Sequence, residues 1–94
     1  MSDLNESYVA KALIADALFC SDLRTGASPN DSELADAIRS ALQRRRGWNG
    51  CTRAVATAFV ESPISAAERE AWCHQLAVHA LTAAEVRAVL SRME

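Results

Sequence analysis

Three consecutive arginines, Arg44, Arg45 and Arg46, are the densest cluster of chemistry-bearing side chains in this 94-residue chain. With Arg39, Arg53 and Trp48 they make a basic, partly aromatic stretch that could hold phosphate groups or an acidic protein partner. A plainer role competes, because cations in the last turn of a helix offset its negative end. Trp48 lies between Gly47 and Gly50 beside this run. A tryptophan there either caps the end of the fold or stands exposed as an interface anchor, and capping is the favoured reading.

A metal site would need Cys73 and His74 with His79 and Cys51. Ligands on one helix share a face at spacings of three or four. His74 and His79 are five apart, Cys73 and His74 are adjacent, and the chain has no C-x-x-C pair. No metal or cofactor is therefore expected. Cys51 and Cys73 would approach each other if their helices paired antiparallel, which allows a redox switch between them as a third reading. Nucleophilic catalysis lacks its parts: no Ser or Cys sits in a Gly-flanked elbow, and three glycines cannot build a phosphate cradle. The expectation is a protein that is not an enzyme.

The elements that must position these groups read as helices. Ser28-x-x-Asp31, Ser65-x-x-Glu68 and Thr82-x-x-Glu85 each have the form of a capping box, and no segment alternates like a strand. The first helix spans about Asp3 to Leu23, with a stripe of Leu4, Tyr8, Ala12, Ala15, Leu18 and Phe19 and a stop at Gly26. The second starts from Ser28-Pro29, buries Leu34, Ile38, Ala41 and Leu42, and ends at Gly47. After the break Gly47-Trp48-Asn49-Gly50, a third runs from Cys51 to Glu61 with Cys51, Val55, Ala58 and Phe59 on one face. A fourth runs from Ser65 to Ala80, with Trp72, Leu76, Val78 and Ala80 inward. The fifth begins at Thr82, where Leu81 and Val86 form a hydrophobic staple, and carries Val86, Val89, Leu90 and Met93. The fold expected is all-α: a compact bundle of about five helices in one domain over residues 1–94. A helix-turn-helix is conceivable from the third helix, the turn Ser62 to Ser65 and the fourth. Its reading helix would open on Glu68, Arg69 and Glu70, a net negative start that phosphates would oppose.

Nineteen alanines supply much of the apolar half of the composition, and only five residues are aromatic. Alanine favours helix but buries little area, so the core is thin and association with a partner is favoured. The net charge of −2 exerts no general pull on nucleic acid or anionic membrane. Its distribution is uneven: residues 1–35 carry −4, residues 36–53 carry +4 and residues 54–94 carry −2. Three widely spaced cysteines, with no secretory leader and no membrane-length apolar run, suit a reduced cytoplasmic protein.

Gly50-Cys51, Val55-Ala56, Phe59, Pro63, Ala67, Arg69 and Trp72 occur at a spacing that resembles small all-helical proteins of actinobacteria. Leu13-Ile14-Ala15-Asp16-Ala17-Leu18, Ser21-Asp22-Leu23 and the Pro29 helix start fit the same pattern, which covers about residues 12 to 73. Ala58-Phe59-Val60-Glu61 departs from it, standing where that group has an acidic-Phe-Gly-Asp segment. The resemblance implies an intracellular actinobacterial origin and no particular activity. The favoured function is a small regulatory or adaptor protein that binds another protein or itself through Arg39, Arg44, Arg45, Arg46, Trp48 and Arg53. The alternative is a small transcriptional regulator that places the same edge on DNA phosphates.

Overall fold

The computed structural model describes residues 2–92, with side chains from Tyr8 onward. Among the described residues there are five helices and no strand: α1 (Ser2–Phe19), α2 (Asp31–Arg45), α3 (Trp48–Glu61), α4 (Pro63–Ala80) and α5 (Ala84–Arg92). The chain is an all-α bundle. Helix α1 is the central element and packs on α2, α3 and, most extensively, α4, while α5 covers α2. One core cluster unites them, built around Ile14, Leu18, Leu34, Ile38 and Val86 with Cys51 and Cys73. Seven of its buried members are alanines, so the helices approach closely over a small apolar area.

The helix starts differ from the capping boxes read in the sequence. Asn30, not Ser28, caps α2: its side chain accepts from the Glu33 N–H and the Glu33 carboxylate accepts from the Asn30 N–H, both at 2.8 Å. A neighbouring residue with the same capacity won. Ser65 lies inside α4, which starts two residues earlier because Pro63 tolerates the first-turn position. The Thr82 hydroxyl donates back to the His79 carbonyl at 2.8 Å, and α5 starts at Ala84. Helix α1 ends at Phe19, so Gly26, at φ +90°, shapes the following loop and does not stop a helix.

The break read at Gly47 to Gly50 is far shorter, because α3 already begins at Trp48. Arg46 closes α2 in the left-handed region at φ 60°, ψ 46°, and the Arg46 and Gly47 N–H groups both reach the Leu42 carbonyl. Gly50 is needed for a different reason: a Cβ there would lie 1.6 Å from the Arg45 carbonyl oxygen. Its bare α-carbon lets the first turn of α3 press against the last turn of α2.

Several stripe positions face solvent. Tyr8 is 70% exposed, with Lys11 over its ring; Val78 is 56% exposed and Phe59 37%. Ile14 and Ala17 replace Tyr8 and Ala12 in the buried face of α1, because the stripe turns toward α4 and α3. Leu4 and Met93 fall outside the described side chains. Replacing Asn30 with Ala removes the α2 cap and is expected to lower stability by about 1 kcal/mol. Ser28→Ala should leave the thermal unfolding midpoint unchanged, since Ser28 caps nothing.

Candidate functional site: a basic groove along α3

The groove is built where the end of α2 meets the first turns of α3. The last turn of α2 supplies Arg44 and Arg45, its left-handed terminus supplies Arg46, and α3 supplies Gly50, Arg53, Ala54 and Thr57. Together they line an open depression of about 510 Å³. It continues over Ala54 and Thr57 into a second of about 530 Å³, walled by Phe19, Cys20, Arg45, Ala58, Glu61 and Arg69. The small side chains of α3 make the floor, and arginines make the rim.

Arg44 is the restrained arginine of the rim. Its guanidinium donates to the Cys20 carbonyl at 2.9 Å and pairs with the exposed Asp22 at 3.3 Å. Arg45, Arg46 and Arg53 make no ion pair among the described residues. The structure thus brings together four of the sequence's six candidate residues and leaves two aside. Arg39 pairs with Asp36 on its own helix at 2.7 Å and does not line the groove. Trp48 is half-buried against the core, in the capping role.

Arg69 and Trp72 of α4 fix the α1 end of this groove. The Arg69 guanidinium donates to the carbonyls of Phe19 (2.9 Å), Ser21 (3.1 Å), Leu23 (2.8 Å) and Leu18 (3.4 Å), and to the Thr25 hydroxyl (2.8 Å). It lies 5.6 Å from the Phe19 ring centroid and 5.3 Å from that of Trp72. The Trp72 indole N–H donates to the Ala27 carbonyl at 3.1 Å. Carbonyls at a helix end have no partner within the helix, and one forked guanidinium satisfies several of them here. The sequence places Arg69 in the charged opening of the fourth helix and does not show this role. Its position three before Trp72 and four before Cys73, on the α4 face that turns inward, was the available signal.

Cys51 and Cys73 both lie in the core cluster, with Cys20 at its edge. Cys20, beyond the end of α1, donates to the Cys51 carbonyl at 3.6 Å, and Cys51 donates to the Ala41 carbonyl at 3.8 Å. Burial pushes the Cys51 and Cys73 thiols up to about 12 and raises Cys20 as well, so all three stay protonated at neutral pH. A protonated thiol is a poor nucleophile and a poor metal ligand. Among the described residues no group of His, Cys, Asp and Glu is disposed to hold a metal ion. The four-residue turn needed for a helix-turn-helix is also missing, since only Ser62 separates α3 from α4.

A carboxyl pair lies between α1 and α4. Burial, then the neighbouring Asp16 charge, lifts Glu70 from the usual carboxylate range to about 7. The Thr52 hydroxyl donates to Asp16 at 3.0 Å, His74 lies 4.0 Å from Glu70, and Glu70 Oε1 is buried without a hydrogen-bond partner. A protonated Glu70 can donate to the Asp16 carboxylate, which makes the neutral acid the form suited to the fold.

Two expectations follow from these contacts. Arg69→Met keeps an aliphatic side chain between the two rings but orphans the carbonyls, and should cost about 3 kcal/mol in denaturant unfolding. The Glu70 contribution to stability is fully present below the ordinary carboxylate pKa of 4.5 and is lost as pH rises through about 7. Wild type should therefore lose stability across that window, whereas Glu70→Gln should be flatter there and the more stable of the two at pH 8. Comparison with known proteins finds no matching family model, no similar curated protein and no similar solved structure.

Proposed function

We propose that this chain is a non-enzymatic adaptor or regulatory protein that binds an acidic segment of another protein through the arginine-rimmed groove. The reading rests on one observation. Arg45, Arg46 and Arg53 flank an open, small-residue floor without ion pairs to other described residues of the chain. Structural arginines behave as Arg69 does, spent on internal carbonyls; these three are available to a ligand.

The conformation of Arg46 supports the same reading. Its left-handed backbone is one that glycine adopts more easily, at a saving of about 1 kcal/mol or more. An arginine there adds a further cation to the rim at some cost to stability. The basic run is local, carrying +4 over residues 36–53 within a chain of net charge −2. A short acidic segment can satisfy the run without meeting the acidic remainder, whereas a long duplex would span both. No described helix is long and apolar enough to cross a membrane, and a cytoplasmic location is part of the proposal.

The test is affinity capture of the tagged protein from its host lysate, with and without nuclease. A stoichiometric protein that survives nuclease and is lost with the Arg45→Glu/Arg53→Glu double variant is the expected result. Both sites are exposed, so folding should survive, and reversing two rim charges should weaken binding about tenfold or more. Recovery of DNA, with its associated proteins lost on nuclease treatment, would overturn the proposal in favour of the regulator alternative.

A further inference from the structure

The groove has two chemically different ends, and this difference specifies its ligand further. At the Gly50 end the rim is Arg44, Arg45, Arg46 and Arg53. From Gly50 to Ala58, eight residues along α3 or about 12 Å at the helical rise, it gives way to a smaller hollow of about 180 Å³. Phe19, Ala58 and Ala66 supply apolar lining there, with Arg69 held between Phe19 and Trp72. The hollow shares Phe19, Ala58, Glu61 and Arg69 with the middle depression, so the three lie side by side along α3.

We infer that the groove binds a protein segment whose acidic residues lie over Arg45, Arg46 and Arg53 and whose single bulky apolar side chain fills the hollow between α3 and α4. This rests on the reading of the basic edge as a protein-binding surface. Charge sets the polarity of the ligand. The arginines collect carboxylates at one end, and Glu61 repels them at the other, leaving an apolar side chain as the group that end accepts. The length suits about four residues of extended chain at the strand rise. Arg44 remains tied to Cys20 and Asp22 and acts as a fixed wall, while the unpaired arginines adapt to the ligand. Affinity in such an arrangement comes mainly from the apolar anchor seated in the open hollow, and the charges provide orientation and encounter rate.

The test uses fluorescently labelled peptides of four glutamates and one glycine, carrying leucine at either end, with matched peptides carrying alanine instead. Binding is followed by anisotropy at two salt concentrations. The leucine peptide in one of the two orders should bind about tenfold tighter than its alanine match. Ser65→Trp places a large ring on the exposed rim of the hollow and should bring the leucine peptide down to the alanine level while leaving the alanine peptide unchanged. Ala58→Met is a second block from the α3 side, and circular dichroism checks that both variants fold. Arg45→Glu/Arg53→Glu should weaken all the peptides.

Equal binding of leucine and alanine peptides, with both lost in the double charge variant, would overturn the anchor and leave the acidic-segment reading standing. Binding insensitive to the double charge variant would overturn both. Tighter, steeply salt-dependent binding of a 20-base-pair duplex would overturn both in favour of nucleic acid. A dimer in sedimentation that Ser65→Trp dissociates would assign the hollow to a second copy of the chain and overturn the partner proposed here.

Discussion

One guanidinium organises the segment on which the groove depends. Arg69 reaches from α4 to the carbonyls at the end of α1 and in the loop beyond it. Those carbonyls have no helical partner, and a loop of this polarity would otherwise be solvated and mobile. Stacking near Phe19 and Trp72 shields the charge, and Trp72 fixes the loop again at Ala27. With that segment ordered, the Cys20 carbonyl and the Asp22 carboxylate stand where Arg44 can meet them. The position of the α2 end relative to the α1 end, and so the width of the groove, depends on a residue of a third helix.

The thin core explains why polar contacts carry so much. Alanines at Ala15, Ala17, Ala41 and Ala77 allow helices to come close but contribute little area each. The principal tertiary fastenings outside that core are the Arg69 clamp, the Trp72 bond and the Asp16–Thr52–Glu70 contacts. The same economy of size makes the groove. Gly50 lets α3 close on Arg45, and Ala54, Thr57 and Ala58 then leave an open floor beneath the arginines. Larger residues at those positions would fill the groove.

Two classes of cationic side chain are thereby distinguished. Arg69 is committed to internal acceptors, Arg39 to Asp36 and Arg44 to the α1 end. Arg45, Arg46 and Arg53 have no such commitment among the described residues. The dipole argument for arginines in a last helical turn accounts for Arg44 and Arg45, which lie in that turn, but not for Arg46 beyond it or Arg53 on the next helix. The Cys51 and Cys73 thiols are buried in the core, where burial raises their pKa.

The amino-acid sequence by itself determined the helical class, the number of helices and most of the inward residues of α2, because apolar spacing and helix propensity are local properties. It also located the Arg44 to Arg46 run and Arg53, since charge can be counted without a fold. It did not determine which of several adjacent polar residues caps a helix. Ser28 and Asn30 differ little in capping strength, and the path of the loop decided for Asn30. The role of Gly50 was likewise hidden. A glycine read as a break proved to be a contact point, and only the approach of α2 distinguishes the two. In sequence Arg69 and Glu70 are two charges in the opening turns of the fourth helix; the packing of α1 against α4 turns one into a clamp and raises the pKa of the other. Tertiary structure alone decided these points, because each depends on which atoms of distant segments meet.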